Sequence, residues 1–236
     1  MANNMWVPAI VGGVVGALGM AAIGAFAMPS LIGPDMVREA LLNEPEMLVE
    51  ASDVLRDRQF APTIDANRAL FETPFASSFK GAEDAEVVMV EFFDYACGYC
   101  RQTKPDVERL VAEMPDLKVV YRELPVLGPD SVLAAKASLA ASEAGKFSQF
   151  HDRLFALGGL NEANLTTALA EVGLDMSAID KPEYDAEIQK NYELANLINS
   201  VGTPTFVVGD RVIPAAEGYR SYKDAIEAAR RGKKDS

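Results

Sequence analysis

The chain has 236 residues, 49% of them hydrophobic and 24% charged, with a formal net charge of −13. That length suits one globular domain with appendages. The acidic balance excludes nucleic acid as a main partner, because phosphate binding needs a basic surface, and it favours solubility rather than any one fold.

The first segment, WVPAIVGGVVGALGMAAIGAFAMPSL from Trp6 to Leu31, carries no charge; the first acid is Asp35 and the first base Arg38. As a helix it is long enough to span a bilayer. Residues 1–30 are therefore expected to be a cleaved export signal, with Ala25-Phe26-Ala27 as a small-x-small cleavage site, or an uncleaved membrane anchor. The absence of Lys and Arg before the segment weakens the signal reading. Gly12 and Gly16 have the GxxxG spacing of packed membrane helices, although Gly-rich signal composition accounts for them equally. Either route places the main domain in the periplasm or cell envelope, tied to the inner membrane if the segment is retained.

Residues 35–70 read as two short amphipathic helices. Leu41, Leu48 and Leu55 recur every seven residues, and Val37 and Ala51 lie on the same stripe. Pro45 fits the first turn of the second helix, with Asn43 as its cap. Such helices cannot bury their stripe alone. Homo-oligomerisation through residues 35–70 would cover it, and so would packing on the main domain.

The pattern changes near FETPFASSFKG (71–81), and residues 75–236 read as the main domain. Val87 to Phe93, VVMVEFF, is an apolar run broken only by Glu91, as in a strand buried on both faces of a parallel sheet. CGYCRQTKPDVERLVAEM has helical spacing, with Pro105 expected to kink it, and LKVVYREL (117–124) reads as a second strand. Strand, helix and strand make a βαβ unit. From 131 to about 200 the chain turns helical. SVLAAKASLAASEAG takes Asp130 as a cap and ends at Gly145; KFSQFHDRLFAL is amphipathic; Asn161 caps EANLTTALAEV and Gly173 closes it; EYDAEIQKNYELANLINSV closes near Gly202. TFVVGDRVI is a hairpin around Gly-Asp. SYKDAIEAARRGKK is a closing helix whose bases Arg230, Arg231, Lys233 and Lys234 suit the negative end of its dipole, as a solvated tail.

Cys97 and Cys100 are the only cysteines and His151 the only histidine. Zinc needs about four ligands, so a metal centre is not expected. A structural disulfide closing so small a loop would remove little unfolded-chain entropy. Redox chemistry remains. Cys97 falls where strand gives way to helix, so free amides and the helix dipole stabilise its thiolate. Cys100 is one turn further in and more shielded. Cys97 would attack a substrate disulfide, and Cys100 would resolve the mixed disulfide. A CxxC beside a βαβ pattern is the thioredoxin-like signature. Glu91 lies either on an exposed edge or beneath the helix start; burial would raise its pKa and let it relay a proton to Cys100. Thr203-Pro204 lies between helix and strand, where a cis bond would mark a functional turn.

FFDYACGYC, RELPVLGPDS, FHDRLFA and VGTPTFVVGD together resemble the DsbA-like thiol–disulfide oxidoreductases, over about residues 75–231. The resemblance implies an α/β thioredoxin fold with an inserted helical domain at 131–200, here preceded by an N-terminal helical extension. It implies Cys97 as nucleophile, Cys100 as resolving thiol, Glu91 as the buried acid and Pro204 as the cis-proline. Thr203 before it would help hold extended substrate backbone. Many relatives carry Pro-His between the cysteines; Gly98-Tyr99 stand here, so the imidazole that would stabilise the thiolate is missing and a less oxidising pair is expected. His151 is then a structural residue of the helical domain. The N-terminal extension resembles, more loosely, the stalks of oligomeric DsbA-like isomerases and envelope proteins.

The expected function is an envelope thiol–disulfide oxidoreductase that isomerises, reduces or forms disulfides in exported proteins. It would need no cofactor and would be reset by a membrane redox partner. The alternative is a non-enzymatic, membrane-anchored envelope protein whose thioredoxin scaffold only holds partners.

Overall fold

A computed structural model describes residues 36–234, which divide into two compact units after Leu55. The apolar segment at 1–30, with its signal, anchor and GxxxG readings, lies outside the described residues. Among those described, no helix is long and apolar enough to cross a membrane.

In the first unit, α1 (36–43) is followed by the start of α2 (Glu46–Ala66). Asn43 belongs to α1 and does not cap α2. The Glu44 amide donates to Ala40 O at 2.8 Å, and the amides of Met47 and Leu48 donate to the carbonyls of Glu44 and Pro45. Pro45 thus stands just ahead of α2, where its missing N–H costs nothing. The second helix is longer than expected, at 21 residues, and continues through Pro62. Met36, Val37, Leu42, Met47, Leu48, Val49, Val54 and Leu55 are all exposed.

The second unit is built on five strands in the order β1-β3-β2-β4-β5. These are β1 (Phe79–Gly81), β2 (Val87–Phe93), β3 (Leu117–Glu123), β4 (Thr205–Val208) and β5 (Arg211–Ile213). Only β2 and β3 run parallel, joined through α4 (Gly98–Glu113) as the βαβ unit expected; the other pairings are antiparallel, so the sheet is mixed. The edge strand β1 was not expected from the sequence. β4 and β5 form the hairpin around Gly209-Asp210, with Gly209 at φ 59°.

Alternation along β2 divides its side chains between two faces. Met89 and Phe93 join Val119, Tyr121, Phe206 and Val208 in a core shared with Val107 and Leu110 of α4 and Tyr222 and Ile226 of α9 (Tyr219–Lys234). Val90 and Phe92 face the other way, with Val120 and Val207, onto Phe60 and Ile64 of α2 and Phe71 of α3 (Arg68–Glu72). Glu91 therefore shares the α4 face. α4 continues through Pro105 as one helix.

Between β3 and β4 the chain forms α5 (Pro129–Glu143), α6 (Phe147–Ala156), α7 (Glu162–Glu171), a 3-10 turn (Met176–Ile179) and α8 (Pro182–Leu197). This is the helical insertion in a thioredoxin fold. Several ends differ from expectation. Gly128, at φ 122°, precedes α5, and Asp130 lies in its first turn, where an acid still favours the dipole. α8 is closed by Ile198 and a left-handed Asn199 (φ 50°) rather than by Gly202. Asn161 does cap α7, accepting from the Asn164 amide at 2.9 Å, and Gly173 follows α7 at φ 78°.

Two arginines hold the second unit together. Buried Arg122 of β3 donates to the carbonyls of Phe71 (3.1 Å), Thr73 (2.7 Å) and Leu70, to Glu187 at 3.1 Å and to Asn191 at 3.0 Å, joining α3 to α8. Arg230, read as part of a solvated tail, makes two 2.8 Å bonds to the Asp116 carboxylate.

Candidate redox site

β2 delivers the chain to a tight turn, and α4 begins directly after Cys97, whose backbone (φ −76°, ψ 119°) is extended as an N-cap should be. Cys97 and Cys100 are both thiols and both buried. The Thr203-Pro204 peptide is cis. It brings the Thr203 carbonyl to 3.2 Å from the Cys97 Sγ, which donates to it as a thiol. The expected residues Cys97, Cys100, Thr203 and Pro204 therefore meet, although more than a hundred positions separate the two pairs.

The two thiols are driven apart electrostatically. Cys97 is lowered to about 5, chiefly by donation from the Cys100 thiol, helped by the Thr203 side chain and the amides of Cys100 and Tyr99, against the cost of burial. Cys100 is raised, first by burial, then by its bond to Cys97 and by the Glu91 charge. The missing imidazole is thus replaced by donors from the helix start. Tyr99 is 65% exposed. Gly98 is not demanded by space, since a Cβ there would meet nothing within 4 Å.

Glu91 is 4% exposed, so the edge-strand alternative for it fails. It sits between β3 and β4, opposite Tyr121 and Phe206. Burial pushes its carboxyl up to about 8; Lys80 and Lys104 oppose that, and the Cys97 charge adds to it. Lys80 pairs with Asp152, while Lys104 pairs with Glu108 and, at 2.9 Å, with Asp152. Neither lysine was visible as part of the site, because β1, α4 and α6 meet only in the fold.

His151 is buried among Phe93, Tyr121, Phe147 and Phe155, and its Nδ1 lies 3.2 Å from the Tyr95 Oη. Burial holds its pKa well below the ordinary range, so it is neutral and structural, as expected. Tyr95 also donates to Ser138 at 3.0 Å, and Ser138 to Glu123 at 2.7 Å. Burial pushes Glu123 up to about 7. Asp94, buried three residues before Cys97, carries no signal in the sequence that marks it out. Its carboxylate accepts the amides of Ala96 at 2.8 Å, Val126 at 2.9 Å and Leu127 at 3.0 Å. A cavity of about 500 Å³ lies elsewhere, at the start of β2, lined by Arg68, Val88, Asp210 and Ala229.

Similarity to known proteins agrees with this arrangement. Residues 88–227 match the model of the DSBA-like thioredoxin domain. The chain is 30% identical over 173 residues to disulfide bond formation protein D of Bacillus subtilis, covering 65% of this chain and 77% of that protein. It is also 30% identical over 163 residues, 66% of this chain, to Na(+)/H(+) antiporter NhaA 1 of Salinispora arenicola, where it spans only 25% of the relative's length. A thioredoxin-like oxidoreductase from Silicibacter pomeroyi superposes with a TM-score of 0.65 at 39% identity, covering 69% of this chain and 96% of that one. The chain belongs to the family of DSBA-like thioredoxin domains.

Proposed function

We propose that this protein exchanges disulfides with exported proteins, with Cys97 as nucleophile and Cys100 as resolving thiol. The observation that carries the reading is the meeting of Cys97 at the start of α4, a buried Cys100 one turn inward and the cis Thr203-Pro204 turn, whose Thr203 carbonyl lies 3.2 Å from the Cys97 Sγ. In the reducing direction the Cys97 thiolate attacks one sulfur of a substrate disulfide. A mixed disulfide forms and the other substrate sulfur leaves as thiolate. Cys100 then gives its proton to the ionised form of Glu91, a minor fraction below pH 8, and attacks Cys97 Sγ. The Cys97–Cys100 disulfide forms, and the second substrate sulfur leaves with the electron pair. The oxidising direction is the reverse and passes the disulfide to a substrate dithiol. Thr203, with its carbonyl beside Cys97, would bind extended substrate backbone next to Pro204.

Work on exported proteins fits the apolar N-terminal segment, because disulfides persist in oxidising compartments. A membrane dithiol or disulfide partner would reset the pair. Within residues 35–70, the part ahead of Phe60 and Ile64, which pack on the sheet, would assemble copies of the chain. The exposed apolar residues of α1 and early α2 support this, with Leu48 and Leu55 at heptad spacing. Several sites in one assembly would suit reshuffling of wrong disulfides. The test is recovery of activity from scrambled ribonuclease by the full chain in mild reductant. Wild type is expected to restore it and Cys97→Ser to restore none. Equal recovery by the two would overturn the reading.

A further inference from the structure

One loop beside the cysteines has its backbone fixed along its length while two apolar side chains stay in solvent. Glu123 O accepts from Asn191 Nδ2 at 3.1 Å, the Leu124 amide donates to Phe93 O at 2.8 Å, and Pro125 O accepts from the Tyr192 hydroxyl at 2.6 Å. The Val126 and Leu127 amides both end on Asp94 Oδ2, at 2.9 and 3.0 Å. Asp94 Oδ1 accepts the Ala96 amide at 2.8 Å, and the Asp94 carbonyl accepts the Cys97 amide at 3.0 Å. One buried carboxylate therefore joins the loop after β3 to the turn that carries Cys97, more than thirty residues away in sequence. Yet the Val126 and Leu127 side chains are 47% and 55% exposed. A free loop would fold such residues inward or wander; this one is held rigid and presents them outward.

We propose that Asp94 is a positioning residue: it locks residues 123–127 to the cysteine turn so that Val126 and Leu127 form a fixed apolar contact for an unfolded substrate segment next to its reacting cysteine. The occupant is an extended, apolar stretch of protein. The contact adjoins the turn that bears Cys97, and a rigid surface loses little conformational entropy on binding. Charge repels no such segment there, since the loop between Glu123 and Asp130 contains no ionisable side chain. This inference rests on the disulfide-exchange reading above.

An Asn at position 94 has one carbonyl oxygen and an NH₂ group that cannot accept, so Asp94→Asn must release either the Ala96 or the loop side of the clamp. The experiment is disulfide transfer by the full chain to reduced, unfolded ribonuclease, with glutathione disulfide supplied to reoxidise the Cys97–Cys100 pair after each transfer, kcat and KM read separately and amide exchange followed at Val126 and Leu127. For Asp94→Asn, KM is expected to rise about fivefold or more while kcat stays within about twofold, with faster exchange at the two amides. Val126→Ser with Leu127→Ser should raise KM similarly; both residues are exposed, so this variant decides the matter if Asp94→Asn does not fold. An unchanged KM in Val126→Ser/Leu127→Ser overturns the inference, as does a fall in kcat alone in Asp94→Asn. A wild type that transfers no disulfide overturns the exchange reading as well.

Discussion

Cys97 owes its acidity to donors, and its chief donor is the thiol it will later bond. The absorbance of its thiolate near 240 nm should titrate with a midpoint near pH 5 in the reduced protein. Cys100→Ala should move that midpoint up toward the ordinary cysteine range, about 8.5. A wild-type midpoint above about 8 would contradict the assigned hydrogen bonds. Because the folded-state pKa is depressed, the stability that Cys97 contributes is present above its unfolded pKa and is lost as pH falls through about 5. Glu91 has the opposite sign. Its folded pKa of about 8 lies above its unfolded value, so its contribution is full below about 4.5 and is lost as pH rises through 8. Glu91→Gln should flatten the fall in melting temperature between pH 5 and 8, and should slow resolution of the mixed disulfide about tenfold or more. A variant with the wild-type pH slope and wild-type resolution would refute the buried-acid role. The cysteine pair and Glu91 were legible because each breaks a local pattern in EFFDYACGYC. Asp94 was not, since its meaning depends on amides that only the fold brings to it.

At the scale of elements, strong periodicity read well and short elements did not. β2, α4, β3 and the β4–β5 hairpin lie where the apolar runs placed them. The three-residue β1 escaped because Phe79–Gly81 is too short for alternation to register, and it exists only by pairing with β3. Two helix starts failed for a related reason. Asn43 and Asp130 are good caps in isolation, but Pro45 and Gly128 determine where the backbone can turn. Leu48 and Leu55 remain exposed, which the self-association reading requires. Light scattering on the wild-type chain should give a multiple of the monomer mass, and Leu48→Glu with Leu55→Glu should give the monomer. A monomeric wild type at micromolar concentration would refute assembly through this stripe.

The whole molecule joins a thioredoxin sheet, a helical insertion and an N-terminal helical extension on one acidic chain. The sequence resemblance anticipated that layout because the cysteine motif, the insertion length and Thr203-Pro204 occur in the family's order. It could not anticipate how α6 and β1 surround Glu91 with charge, since Lys80, Lys104 and Asp152 come from three separate segments. The relatives include antiporters of which the match is only a quarter, so the same domain serves in longer chains as well. What unites the account is the claim that Cys97, not Cys100, takes the substrate. The most direct test is to incubate the full chain carrying Cys100→Ala with scrambled ribonuclease, quench with acid and map the adducts by mass spectrometry. The account predicts a mixed disulfide at Cys97 in Cys100→Ala, and none in a parallel Cys97→Ala sample. An adduct at Cys100 in Cys97→Ala, or none at Cys97 in Cys100→Ala, would contradict it.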